Sequence, residues 1–286
     1  MVTLQGEFIA GLVFLGLSVI LFIVAKYTKD FLTPYNDTEE LGKKQNTAVG
    51  ISFSGYLFAV IIVLLGALLG PSRGLFADIS NFVGYAILGI ALLNLSRIIN
   101  DKILLRKFCN IKELIDDQNA GAGCIEFGSY LASGLVVAGS IHGQGGGVHT
   151  ALAFFALSQA VLIIFAFLYN LITPFDLHDE IEHDNVAAGV AFGGTLVALG
   201  IILLKGVVGD FISWQYNLTN FAISVASSMI FLPIIRILLD KILIPKINLS
   251  LEIAKKNNLA IGILEMTVAI SFAVILYFSI DFDIPL

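Results

Sequence analysis

The sequence predicts an all-α polytopic membrane protein of eight transmembrane helices, built as four repeated helical hairpins in two parallel, pseudo-two-fold halves. Three observations predict it. The 286 residues are 57% hydrophobic and only 13% charged, with a mean hydropathy of +0.92, whereas soluble domains are about one quarter charged. Eight segments are apolar over the roughly 20 residues a helix needs to cross a bilayer. One short polar motif recurs four times, each time at the start of an even-numbered segment. The composition also excludes other classes. Two cysteines, Cys109 and Cys124, build no disulfide framework. A net charge of −6 argues against nucleic acid as a partner.

The first span, residues 7–27, has no basic residue before it and Lys26 and Lys29 at its end. That charge order is that of an N-out anchor, not of a cleaved signal peptide. Spans two and three, residues 48–70 and 78–99, are apolar throughout their centres. The fourth, 120–141, contains an acid and competes with a re-entrant or surface helix. The fifth, sixth and seventh cover 150–172, 187–209 and 217–238, with Pro233 as a candidate kink in the last. The eighth, 259–281, again contains an acid and carries the same alternative. Of the 16 Lys and Arg, all but Arg73 and Lys205 fall in or beside the odd-numbered gaps. Basic loops stay inside, so the odd gaps are expected to be cytoplasmic and both termini outside. In a bacterial cell this is a multi-pass protein of the inner membrane, with the lipid bilayer as its first partner.

The recurring motif is [Asp/Glu]-x5-Asn-x-[Ala/Gly]-x-Gly. Its copies are Glu40, Asn46 and Gly50; Glu113, Asn119 and Gly123; Asp179, Asn185 and Gly189; and Glu252, Asn258 and Gly262. The Asn positions are separated by 73, 66 and 73 residues, so the chain divides into halves offset by 139. Residues 1–141 form the first half and 150–286 the second. The stretch 97–102, starting at Arg97, matches 236–241, starting at Arg236, at that offset. Each half has an even number of spans and inserts the same way round, which predicts an axis along the membrane normal and a rotation near a half turn. The joint, residues 142–149, is glycine-rich and reads as a flexible outside linker. Its His142 and His149 lack companion ligands, and no metal is expected there.

Two readings of the motif remain open. Asn at a helix start caps the backbone N–H groups two or three residues on, and small residues after it allow close helix packing in lipid. Alternatively, the four Asn and four acids ring a central cytoplasmic vestibule. The motif and its hairpin resemble the bacterial membrane family of unknown function numbered 350, the YjfL-like family. The resemblance covers nearly the whole chain and implies a fused tandem of two family units. It further implies an envelope-associated role, because members accompany phage-shock-type membrane-stress proteins and glutathionylspermidine-synthase-like ligases. No residue-level chemistry carries over from it.

The intramembrane acids carry the sharpest functional signal. Seven residues after Asn119 and Asn258 stand Glu126 and Glu265, where the other two copies have Phe53 and Phe192. At 1.5 Å per residue this places each carboxylate about 10 Å inside the motif Asn, where a charge is costly. Arg97 and Arg236 each precede the matching Glu by 29 residues and are expected to approach it within one hairpin. The pairs read either as structural ion pairs or as ion or proton sites. Two functions follow. One is a channel or transporter for a small cation or proton. The other is a non-transporting anchor or signalling component of an envelope-stress system, with stress proteins as cytoplasmic partners. No nucleotide, zinc-protease or serine-hydrolase motif is present, so no enzyme activity and no cofactor are expected. A homo-oligomer is compatible with either function.

Overall fold

A computed structural model describes residues 4–70, 72–104 and 111–279. Eleven α-helices follow one another: α1 (Leu4–Leu32), α2 (Asp37–Gly42), α3 (Thr47–Leu68), α4 (Leu75–Ile99), α5 (Ala120–Ile141), α6 (Val148–Ile172), α7 (Leu177–Glu182), α8 (Val186–Val207), α9 (Trp214–Leu238), α10 (Leu249–Ala254) and α11 (Leu259–Ser279). The described residues contain no strand. Eight of the helices are long and apolar enough to cross a membrane. The acid-bearing spans α5 and α11 are among them, as uninterrupted helices. The chain is therefore a multi-pass membrane protein whose outer faces lie against lipid.

Each even-numbered span begins the same way. A short helical turn (α2, the π-helical turn Lys112–Asp116, α7 or α10) ends one or more residues before the motif Asn. The residue just before that Asn has positive φ in every copy: 52° at Gln45, 52° at Gln118, 55° at Asp184 and 47° at Asn257. The left-handed residue turns the chain so that the Asn starts a new helix. The ends of α4 and α9 repeat as well, each running into a π-helical turn, Asn100–Leu104 and Leu239–Leu243. Repeated sequence at the 139-residue offset thus yields repeated local geometry.

The four even-numbered spans stand side by side in a row, α3 against α5, α5 against α8, and α8 against α11. Small residues permit this approach along the whole length, as lipid-embedded helices require. A Cβ on Gly123 would lie 2.6 Å from the Ala48 carbonyl oxygen, one on Gly134 3.0 Å from the Ala59 Cα, and one on Gly66 2.7 Å from the Ala138 Cα. Starts touch starts and ends touch ends, so these helices run parallel. The odd-numbered spans flank the row: α1 and α4 against α3, α4 and α6 against α5, α9 against α8 and α11. The most apolar window of α8 is 83% buried and that of α11 only 28%, which separates the middle of the row from its end.

The expected half turn between halves is not what forms. A half turn would carry the α5–α8 contact onto a contact between α11 and α3. These two helices instead lie at opposite ends of an open row and do not pack together. The hairpins repeat in one direction rather than closing about an axis. The joint between halves is likewise not a free linker. The Gln144 N–H donates to Asp210 Oδ1 at 2.8 Å, the Phe211 N–H donates to the Gln144 carbonyl at 2.8 Å, and Arg73 Nη2 donates to Gln144 Oε1 at 2.5 Å. Its glycines serve close approach: Gly145, at φ +87°, would place a Cβ 2.6 Å from the Phe211 carbonyl oxygen.

Candidate functional site

The motif residues build a ladder across the row. Asn46, Asn119 and Asn185 accept the N–H of Val49, Ala122 and Ala188 on their side-chain oxygens, at 3.1, 3.1 and 3.0 Å. Each is therefore an N-cap. The amide nitrogen of the same side chain faces the other way. Asn46 Nδ2 donates to the Leu114 carbonyl at 2.7 Å, Asn119 Nδ2 to the Ile181 carbonyl at 2.6 Å, and Asn185 Nδ2 to the Ile253 carbonyl at 2.8 Å. Each copy thus clasps the next. The acids orient the amides, Glu40 accepting from Asn46, Glu113 from Asn119 and Glu252 from Asn258, at 3.1, 2.9 and 2.9 Å. Capping and hairpin-to-hairpin clasping are one side chain's two ends, and the Asn side chains ring no central vestibule.

In the third copy the acid is displaced. Asp179 stands at the six-residue spacing, but Glu180 accepts from Asn185 Nδ2, at 2.6 Å. The Asn185 N–H also bonds the Glu180 carbonyl, whereas the other three Asn N–H groups reach the acid six residues back. This connection is one residue shorter, and the acid one place nearer takes the role.

The two intramembrane glutamates are both buried, Glu126 at 6% and Glu265 at 3% exposure, but their surroundings differ. Arg236 Nε lies 3.5 Å from Glu265 Oε1, and the Tyr169 hydroxyl donates to the same oxygen at 3.4 Å. The Arg236 guanidinium also sits 5.5 Å from the Tyr169 ring centre. A cavity of about 20 Å³ lies beside them, lined by Tyr169, Pro233, Arg236 and Glu265. Glu265 Oε2 and Arg236 Nη1 have no hydrogen-bond partner among the described residues, and the cavity is the size of one water.

The first half does not repeat this pair. Arg97 does not bond Glu126; its Nη2 donates to the carbonyl of Leu32, the last residue of α1, at 2.9 Å. A cation at a helix C-terminus is favoured by the unsatisfied carbonyls there. Glu126 Oε2 instead accepts a hydrogen bond from the Ser52 hydroxyl of α3. The residue equivalent to Ser52 at the 139-residue offset is Ala191, which has no hydroxyl to offer Glu265.

A buried polar track leaves Glu126 along α5. Glu126, Ser129 and Ser133 fall at i, i+3 and i+7, on one helix face. Asn100, in the π-helical turn after α4, donates to Ser129 Oγ at 2.7 Å and to Ser133 Oγ at 3.3 Å. Gln159, in the middle of α6, donates to Asn100 Oδ1 at 2.5 Å. All five are buried. Beyond Ser133 the α5 interior turns apolar at Val136, Val137 and Ile141. The second half has no such track: Ser129, Ser133 and Asn100 correspond to Val268, Phe272 and Leu239. The Ser spacing was readable in the sequence. The convergence of Asn100 and Gln159 was not, since it joins a helix end to a span of the other half.

A second buried charge pair was also missed. Lys29 and Asp37 meet at 2.8 Å with side chains 0% and 1% exposed. Both are charged residues near a span end, where sequence alone reads them as solvated flanks. Cys109 lies outside the described residues. Cys124 is a partly buried free thiol on α5.

The fold and these contacts define a polytopic α-helical membrane protein made of parallel, head-to-tail hairpins. The chain belongs to the family described as Domain of Unknown Function (DUF350), whose model matches residues 3–141 and again 145–280. It is similar to the "UPF0719 transmembrane protein" of Aquifex aeolicus (strain VF5), 25% identical over 262 residues, 88% of this chain and 94% of the relative. It is also similar to the "UPF0719 inner membrane protein YjfL" of Escherichia coli (strain K12), 36% identical over 67 residues, 22% of this chain and 51% of the relative. No solved structure matches the chain.

Proposed function

We propose that the protein moves a proton or a small cation across the membrane at Glu126, with Ser129, Asn100, Ser133 and Gln159 as the track leading inward from it. The observation that supports this reading is the buried track itself, hydrogen-bonded among Ser129, Ser133, Asn100 and Gln159 and starting one helical turn from the Glu126 carboxylate, with no counterpart among the described residues of the second half. Intramembrane acids are costly and are kept for a purpose. Hydroxyl and amide groups in sequence suit a proton relay, and oxygen ligands suit a hard cation. Glu265 has a different job, as the partner of Arg236. The basic-residue distribution supports a motif end in the cytoplasm and both termini outside, and the name of the E. coli relative supports the inner membrane as the location. No chemical transformation is part of this function.

The second reading is a non-transporting anchor or signalling component that meets envelope-stress proteins at its cytoplasmic face. It is favoured by the apolar closure of Val136, Val137 and Ile141 beyond the track. Purified protein in liposomes under an applied potential separates the two. Proton, sodium or potassium flux above that of empty liposomes, lost in Glu126→Gln, supports transport. Flux equal to empty liposomes for all three ions supports the second reading.

A further inference from the structure

The ladder has two unmated ends, and they are complementary. Along the row, copy n gives an Asn amide and a small residue two places later, and copy n+1 gives a main-chain carbonyl and the motif Gly. Gly123 is received by Ala48, Gly121 packs on the Asn185 carbonyl, and Gly262 is received by Ala187. At the first copy the receiving elements stand open. Leu41 is equivalent to the ladder acceptors Leu114, Ile181 and Ile253. It is 37% exposed, against 1%, 0% and 0% for those three. No Asn side chain donates to its carbonyl among the described residues. A Cβ on Gly50 would meet nothing but Leu41 Cδ2 at 3.5 Å. A groove of about 520 Å³ lies there, lined by Leu41, Gln45, Asn46, Gly50 and Ser54 with Phe127 at its side.

At the fourth copy the giving elements stand open. Among the described residues Asn258 Nδ2 donates to Glu252 alone, where the other three Asn also reach a neighbour's carbonyl. Ala260 is exposed, whereas its equivalents Ala48 and Ala187 are 0% exposed.

We propose that a second copy of this chain docks head to tail, α11 of one molecule laying Asn258 and Ala260 into the groove at Leu41 and Gly50 of the next. The occupant follows from continuity: the same contact already forms three times within the chain, always in the same direction. The E. coli relative is about half as long as this chain, its 67 matched residues being 51% of its length, and a row of four motif copies built from chains of that size would cross from chain to chain. The contact is strongest at the motif end. Farther along α11, Thr267 and Phe278 stand where α3 has Gly55 and Gly66, so the helices part there. A heterologous contact of this kind builds a ring if its rotation closes and an open array if it does not.

The test is disulfide formation in native membranes. Cys109 and Cys124 are first replaced by Ala, and Gly50→Cys and Ala260→Cys are introduced separately and together. Both positions are open, so the fold tolerates them. On oxidation the double variant should give a ladder of covalent multimers, the two single variants co-expressed should give dimers only, and either single variant alone should give none. Failure of the co-expressed pair to cross-link, with both thiols reactive to maleimide, overturns the proposal. So does efficient cross-linking by Gly50→Cys alone, which requires a symmetric face-to-face contact. As a second arm, Ala260→Trp should abolish multimers while leaving the thermal stability of the monomer unchanged. Persistence of multimers in that variant also overturns it.

Discussion

The Asn119 side-chain amide donates to the Ile181 main-chain carbonyl at 2.6 Å, and this bond joins the two halves of the chain at their motif ends. The same side chain caps α5 through its oxygen and is held by Glu113. Loss of Asn119 therefore removes a cap, worth about 0.5–2 kcal/mol, and one of the hydrogen bonds to the Ile181 carbonyl, which keeps the Asp184 N–H at 2.9 Å, costing about 0.5–1.5 kcal/mol more. Asn119→Ala is expected to lower stability by that combined amount. Asn258→Ala removes only the bond to Glu252 and is expected to cost clearly less. Thermal unfolding of the two variants in one detergent checks the order.

The row's small residues give a second contrast. Gly123→Ala drives a methyl group toward the Ala48 carbonyl at 2.6 Å, where main chain meets main chain and neither side can yield cheaply. Gly50→Ala meets only a flexible Leu side-chain end at 3.5 Å. The first substitution should destabilise by about 1–3 kcal/mol, and the second should be neutral. Equal effects would show that the row does not pack as described.

Arg236, with its side chain 13% exposed, and the buried Glu265 form an ion pair largely shielded from solvent, and removing one partner leaves a poorly solvated charge. Arg236→Met or Glu265→Leu alone should cost about 3–5 kcal/mol, and the double variant should recover most of that loss. Arg97→Met should differ, because Arg97 bonds the end of α1 and not Glu126. Adding Glu126→Leu to it should give no recovery. A double-mutant cycle in each half measures the two couplings.

Acid should loosen the ladder. Burial acts to raise the Glu40 pKa, but hydrogen bonds from Lys44 and Asn46 outweigh it and hold the carboxyl below its ordinary value. Glu252 is held low by Asn258 and Lys256. A carboxyl depressed in the folded state stabilises the fold above the ordinary carboxylate range, near 4.3 for Glu, and that stability is lost as pH falls through the folded value. The melting temperature should fall between about pH 5 and pH 3, and less steeply in Glu40→Gln with Glu252→Gln. An identical fall in that variant would assign the loss to other groups.

Much of this architecture was legible in the sequence because each signal was local. Apolar length marked the eight spans, and the Asn motif marked the start of every even one. The third copy misled because its connection is one residue shorter, so equal spacing pointed to Asp179 and packing chose Glu180. The half-turn relation failed for a different reason. Equal offsets say that units repeat, but whether the last meets the first depends on the angle at which Gly128 packs on Gly193 and Gly262 on Ala187, a tertiary quantity. Arg97 and Arg236 share a motif, yet one hydroxyl, Ser52 against Ala191, and the end of α1 decide that only the second meets its glutamate. The polar track was half visible in Glu126, Ser129 and Ser133. Its other members came from α4 and α6, and no periodicity links those.

In the proposed function Glu126 and Glu265, equivalent in sequence, do different work. The most direct measurement is ion flux per folded molecule in liposomes for Glu126→Gln and Glu265→Gln side by side, with the melting temperature of each. Glu126→Gln is expected to abolish flux in the molecules that remain folded, and Glu265→Gln to lower the melting temperature while the molecules that remain folded keep wild-type flux. Wild-type flux in Glu126→Gln, or equal loss of flux in both variants, would contradict this division of work.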